Sequence, residues 1–292
     1  PGEPGALEHL HGFSWLRDLR DLGGEAARLR ARDLVDGWLA RHDEWDALLW
    51  RPDILGARLS SWIGNYDFFG GSADDEFRAD FFQSIGRQYR HLTGDIEASA
   101  PGARRLLAAK GLFAAMAVIG EGGGKIDQAL HWLHRELDRQ VLTDGGHISR
   151  SPAMQVSVLA DLVEIRKALR LAAHVDEDLD ERISMMTAML RLLRHGDGGL
   201  ALFNHATEGE VWFIDSLIAQ AETKRKSLAS APDSGFGGEL RRQPGGPEMG
   251  RCAAGDGGPF DPCCRRSQRG RDRGGRHARR PPGTCPCGPL GQ

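Results

Sequence analysis

The chain has 292 residues, 40% of them hydrophobic, and carries 38 basic against 41 acidic side chains for a formal net charge of -3. That length and apolar content suffice for a sizeable core, and the balanced charge argues against nucleic acid or a strongly anionic surface as a partner of the chain as a whole. No uninterrupted apolar run approaches the roughly 20 residues that a membrane-spanning helix needs, so no membrane span is expected.

The chain opens on Pro1, without a charged stretch followed by an apolar one. A missing or processed N-terminus is therefore expected, and the compartment stays open. From about Glu25 the apolar residues recur at helical spacing. Leu34, Val35, Trp38 and Leu39 form a first stripe, and Pro52, at a first-turn position, opens a second with Leu55, Leu59, Trp62, Ile63 and Tyr66 on one side. Ser72 followed by Asp75 resembles a capping box ahead of Phe77, Phe81, Ile85 and Tyr89. A helix over about Ala103 to Ile119 is stopped by Gly120 and the run Gly122, Gly123, Gly124, whose freedom at positive φ ends helices at little cost.

Ile126, Leu130, Leu133 and Leu137 continue the rhythm to Gly145 and Gly146, and Ser151 with Pro152 reads as N-cap and first-turn residue for Val156, Leu159, Leu162 and Ile165. Ile183, Met186, Leu190 and Leu193 make one more stripe. Leu200, Leu202 and Phe203 alternate with Ala201 and Asn204 as in a short strand, and a last helix is expected over Val211 to about Lys224. Successive helices joined by short Gly-bearing turns pack as antiparallel pairs, so the expected class is an all-α array or toroid; no fixed-period solenoid signature is found.

After about Gly237 the periodicity is replaced by Gly, Pro, Arg and Cys in no register. The expected division is a helical domain over residues 1–236 and a disordered tail over 237–292, since such a composition buries too little apolar surface to offset its ordering entropy. All five cysteines, Cys252, Cys263, Cys264, Cys285 and Cys287, fall in this tail, so neither a disulfide nor a thiolate-bound metal holds the body. Three readings of the tail compete. Cys263, Cys264, Cys285, Cys287 and His277 could form a zinc site, although no C-x2-C pair is present; the arginines could make a polyanion-seeking arm; or the tail is an out-of-frame translation of GC-rich DNA, the reading preferred here. No cofactor and no metal are expected in the body.

Four segments carry a resemblance: FSWLRDLRDLGG, WRPDILGARLSSWIGNYDFF, LTDGGHISRSPAMQVSVLADL and RHGDGGLALFN, in this order and spacing. They resemble the N-terminal half of bacterial heparinase II/III-like proteins, from about Phe13 to Phe236. The resemblance implies an incomplete (α/α) toroid of antiparallel helix pairs, followed in that family by a β-sandwich, acting on uronate-containing polysaccharide by β-elimination. It also implies a periplasmic or envelope location. With no alternating strand pattern after Phe236, the sandwich is expected to be missing, the chain truncated, and the uncovered toroid face a place for self-association.

Abstraction of the proton beside a uronate carboxylate needs a carboxylate neutraliser, a base and an acid. The loop from Asp144 to Pro152 offers His147 as base or neutraliser and Arg150 as a fork for the uronate, at a helix start that favours anions. Equally, Asp144 and His147 stabilise a turn and Arg150 is a solvated charge. A second candidate turn holds His195 and Asp197 and ends at Asn204, with His195 as a second catalytic histidine or as a helix-dipole partner. Trp62, Asn65 and Tyr66 could line a sugar groove, though Trp62 lies on the apolar stripe, where core packing is expected.

Two departures from the family pattern stand out. Ala103 occupies the place of an Asn that resembles the lyases' carboxylate neutraliser, and Met154 with Gln155 replaces a Tyr-His pair, Gln155 being kept as a substrate-binding candidate. The expected function is a truncated, inefficient polysaccharide lyase with an acidic polysaccharide as partner; the alternative is a non-catalytic carbohydrate-binding or cell-envelope protein on the same toroid. A toroid glycoside hydrolase ranks last, since Asp74, Asp75 and Glu76 read as helix-start charges.

Overall fold

The computed structural model describes residues 4–42, 44–98, 100–204, 206–207, 209–241 and 249–254. Among these residues the architecture is all-α with a small sheet at the end. The helices are α1 (Pro4–Gly12), α2 (Leu16–Leu22), α3 (Gly24–Arg41), α4 (Pro52–Phe69), α5 (Asp75–Asp95), α6 (Ala103–Ile119), α7 (Gly123–Gln140), α8 (Pro152–Leu171), α9 (Glu177–Leu192) and α10 (Val211–Gln220).

Helices α4, α6 and α8 form a packed row, α4 on α6 and α6 on α8. Each buries residues around most of its circumference, including Leu55, Leu59 and Trp62, then Leu106, Leu112 and Phe113, then Leu159, Leu162 and Ile165. Helices α3, α5, α7 and α9 lie against this row; α3, α5 and α7 bury one side only, as Ile126, Leu130, Leu133 and Leu137 do on α7, whereas α9 is buried all round from Met186 to Leu190, where Met189 also packs with Ala231 and Phe236. This two-layered succession is the incomplete (α/α) toroid. The α4–α6 contact is close enough to require glycine on both helices: a Cβ at Gly56 would lie 2.3 Å from the carbonyl oxygen of Leu107, and one at Gly111 would lie 2.3 Å from that of Gly56.

Helix ends follow the sequence with two shifts. Ser151 and Pro152 open α8, and Gly120, at φ 75°, closes α6. The cap of α5 is Asp74, not Ser72; its carboxylate accepts the Phe77 N–H at 2.8 Å, while Ser72 takes hydrogen bonds from Arg28 and Arg32. Helix α9 starts earlier than its apolar stripe, because Asp176 accepts the Leu179 N–H at 2.6 Å and Glu177, Asp178 and Asp180 favour a helix N-terminus.

The expected strand at residues 200–204 is reduced to one bridge, Arg194 to Leu200. A three-stranded antiparallel meander follows instead, β1 (Ser230–Ala231), β2 (Phe236–Arg241) and β3 (Met249–Ala254). It crosses the expected boundary at residues 236/237, and backbone pairing alone aligns Gly237 and Gly238 with Ala253 and Cys252. The rest of the expected tail, with Cys263, Cys264, His277, Cys285 and Cys287, lies outside the described residues.

Candidate functional site

The connection from α7 to α8 is a tight turn closed by a bridge between Val141 and His147. Leu142 donates to the Gly146 carbonyl at 2.8 Å, and Ile148 donates to that of Gln140 at 2.8 Å. Asp144 pins the turn. Its Oδ1 accepts the Gly146 N–H at 3.0 Å and the Ser234 hydroxyl at 2.6 Å, and its Oδ2 accepts the Ser234 N–H at 2.7 Å. The turn is thereby docked on the β1–β2 connection. Gly145, at φ 83°, is required twice over, since a Cβ there would also meet the Met185 backbone at 2.5 Å.

A second turn of the same construction joins α9 to the segment before α10. In both, an Asp-Gly-Gly sequence places a carboxylate on the second glycine's N–H at 3.0 Å (Asp144 to Gly146, Asp197 to Gly199). The first glycine is left-handed in both, Gly145 at 83° and Gly198 at 89°. The repeated Asp-Gly-Gly signal is plain in the sequence but goes unused when each turn is read alone.

His147 is 7% exposed. Its Nδ1 lies 2.7 Å from Ser149 Oγ and accepts the Ser149 N–H at 3.2 Å, so the proton of the neutral ring sits on Nε2, which is buried. Burial holds its pKa below the ordinary 6.5. Gln155 is 1% exposed and spent on backbone: Oε1 accepts the His147 N–H at 2.8 Å, and Nε2 donates to the carbonyls of Gly145 at 2.8 Å and Met186 at 3.0 Å. In this arrangement Gln155 braces the turn from inside the fold.

Arg150 is exposed, at φ 55°, with its guanidinium 5.3 Å over the Phe236 ring. Its carbonyl accepts the Asn204 side-chain amide at 2.9 Å. His195 is half-buried in the second turn, its backbone bonded to Gly198 and Gly199. The structure thus brings His147, Gln155, Arg150 and Asn204 together, with His195 in the sister turn.

Trp62, Asn65 and Tyr66 belong elsewhere. Trp62 is fully buried, its ring edge-on to Phe13 at 5.1 Å and Trp38 at 5.2 Å, so no indole face is open to a sugar. Asn65 donates to the Ser61 carbonyl one turn back at 2.7 Å, and Tyr66 stacks on Phe81 at 5.1 Å. Trp62 and Asn65 are buried on α4, as the apolar stripe implied for Trp62, and Tyr66 is partly buried in its contact with α5.

At the start of α6, Ala103 stands between Gly102, whose N–H is held by buried Glu136 at 3.0 Å, and Arg104, which pairs with Glu8 at 3.4 Å and Asp53 at 3.6 Å. Met154 is partly buried and packs on the core. Sequence reading missed Ser234, the partner of Asp144, and Arg58, fully buried with its Nε on Gln88 Oε1 at 2.7 Å.

No protein-family model matches the chain. The crystal structure of heparinase III superimposes with a TM-score of 0.59 at 16% identity, covering 72% of this chain and 36% of that one. The heparan sulfate lyase HepC from Pedobacter heparinus gives a TM-score of 0.54 at 17% identity, with 70% and 34% covered. The fold is heparinase-like. FtsZ-localized protein C of Caulobacter vibrioides is 34% identical over 228 residues, 78% of this chain and 39% of that protein. The heparinase-like chain thus spans about two fifths of the length of the relatives it matches.

Proposed function

We propose that this chain is a non-catalytic glycan-binding domain, built on the heparinase-like toroid of residues 1–236, in a protein that works at the bacterial division site. The observation that carries this reading is the state of the proton-transfer candidates. His147 is buried with Nδ1 committed to Ser149, and Gln155 is used up on three backbone groups. Ala103 and Met154 have no titratable group to offer. What faces solvent at the two turns is recognition chemistry: Arg150, a fork suited to a carboxylate, oriented by Asn204 through its backbone. His195 adds a donor in the adjoining turn. The similarity to a protein named for its localisation with FtsZ supports the division-site setting.

A second reading is that of a polysaccharide lyase acting on uronate-containing polysaccharide, favoured by the likeness to heparinase III and HepC. One experiment separates the two. The chain is incubated with heparan sulfate and followed for unsaturated uronate by ultraviolet absorbance and for binding by affinity electrophoresis. Retardation without unsaturated product is expected, weakened by Arg150→Ala and not by His147→Ala. Unsaturated product that disappears in His147→Ala would establish the lyase instead. Co-pelleting of the chain with FtsZ filaments tests the setting.

A further inference from the structure

The end of α1, the last turn of α3 and the segment leading into α4 enclose an open cleft of about 410 Å³, lined by His11, His42, Trp45 and Leu49, by one basic side chain, Arg41, and by two acidic ones, Glu44 and Asp46. None of these elements contributes to the Asp-Gly-Gly turns. Under the cleft lies Arg58, among the described residues the one fully buried arginine. Its terminal nitrogens donate to the carbonyls of His11 at 3.2 Å and Leu49 at 3.0 Å, two cleft residues, and its guanidinium lies 4.3 Å over Trp38. Gln88, two carbonyls and an indole face hold it; no carboxylate among the described residues does. Burial draws its pKa down to about 9, which leaves it charged at neutral pH. A buried cation held only by neutral groups projects its field through a poorly screening interior, and two of the carbonyls that hold this one belong to residues of the cleft.

The cleft is shaped to use that field. The His11 and His42 rings meet edge-on at 5.5 Å. His11 Nδ1 accepts the Trp38 indole N–H at 3.2 Å, which leaves Nε2 as the donor of its ring. Of the two acids in the lining, Asp46 is committed, its Oδ1 accepting the N–H groups of Leu48 and Leu49, both at 2.8 Å, and Glu44 is exposed to solvent, as is Arg41, the base of the lining. Trp45 stands at the rim with 68% of its surface exposed, a large apolar face in water beside the two histidines. An aromatic plate beside fixed donors and a buried positive charge matches a sugar ring that carries an acid group.

We infer that this cleft is a second binding site, for a carboxylate-bearing sugar residue whose acid group sits on His11 and His42 above Arg58 and whose ring face stacks on Trp45. The class of ligand rests on the glycan-binding reading; the site does not rest on Arg150.

The test is calorimetric titration of the whole chain with a glucuronate-containing tetrasaccharide, in an Arg150→Ala background that disables the first surface. One site should remain, with affinity about tenfold lower for the carboxyl-reduced tetrasaccharide and about tenfold lower after His42→Ala or Trp45→Ala. Trp45 is exposed, so its removal leaves the fold intact. Loss of all binding in Arg150→Ala alone would overturn the second site and leave the glycan reading standing. Residual binding indifferent to Trp45→Ala and His42→Ala, or equal for the reduced sugar, would also overturn it. No binding by the unmodified chain would end both readings.

Discussion

The side-chain amide of Asn204 donates to the carbonyl of Arg150 at 2.9 Å, and both residues hold left-handed backbone, at φ 49° and 55°. The bond joins two turns that lie far apart in sequence. Left-handed backbone costs a non-glycine residue roughly 1 kcal/mol or more, less for Asn, so the geometry is maintained by what it connects. Asn204→Ala loses the bond and keeps the strain; Asn204→Gly loses the bond and relieves the strain. Urea unfolding should therefore rank wild type above Asn204→Gly and that above Asn204→Ala, with about 1–2 kcal/mol between the ends. Glycan affinity should fall in both variants, because Arg150 is no longer held. Equal stability of all three would show that the contact carries nothing.

Two glycines on α4 should respond to alanine with opposite signs. At Gly56 an added methyl meets the α6 backbone, with the Leu107 oxygen at 2.3 Å and the Ala108 Cα at 2.5 Å, whereas at exposed Gly64 nothing lies within 4 Å. Gly56→Ala forces α4 and α6 apart and should cost about 2–3 kcal/mol, well beyond the roughly 1 kcal/mol gained from helix propensity. Gly64→Ala keeps the propensity gain alone and should raise Tm. A thermal melt of each variant decides, and a rise in both would mean that the helices are not in backbone contact.

Arg58 should not tolerate lysine. Its three hydrogen bonds leave in different directions, to Gln88, His11 and Leu49, as a planar fork allows. A buried ammonium would reach fewer of them and keep the full desolvation cost, so Arg58→Lys should be at least as destabilising as Arg58→Met, each by about 2–4 kcal/mol in denaturant unfolding. A lysine variant as stable as wild type would contradict the fork.

The helices were legible because apolar spacing and punctuation are local. Pro52, Ser151 with Pro152, and Gly120 mark real ends, and stripes such as Ile126 to Leu137 are buried as their period implies. Local signals misled where two residues compete for one role: Ser72 looked like the cap of α5, but Arg28 and Arg32 claim it and Asp74 caps instead. Early helices such as α1 and α2 escaped notice because they are short and lean on α3 and α4 rather than on each other. The strands Ser230–Ala231, Phe236–Arg241 and Met249–Ala254 give no alternating pattern, since backbone bonds rather than side chains pair Gly237 and Gly238. At the candidate site, the loop carrying His147 and Arg150 was visible. The bracing of that loop was not, because it rests on Ser234, which bonds Asp144, and on Met186, which accepts from Gln155, both brought in from distant positions. The same holds for Arg58, which in sequence is one polar residue on an apolar helix.

His147 should leave a mark on the pH dependence of stability. Burial holds its folded-state pKa below the 6.5 of an unfolded chain, so below pH 6.5 the unfolded state binds more protons than the folded one. The stabilising contribution is therefore complete above pH 6.5 and is lost as the pH falls from there toward the folded-state value, at up to about 1.4 kcal/mol per pH unit. In His147→Asn the amide oxygen can take over from Nδ1 as acceptor of the Ser149 N–H, and no proton is bound in either state. Urea unfolding of the two proteins from pH 7.5 to pH 5 should show their stability difference shift steadily against the wild type, with His11 and His42 cancelling because both chains contain them. A difference that stays constant across that range would mean that the His147 ring is open to solvent, and proton transfer at this turn would then regain its standing as a function.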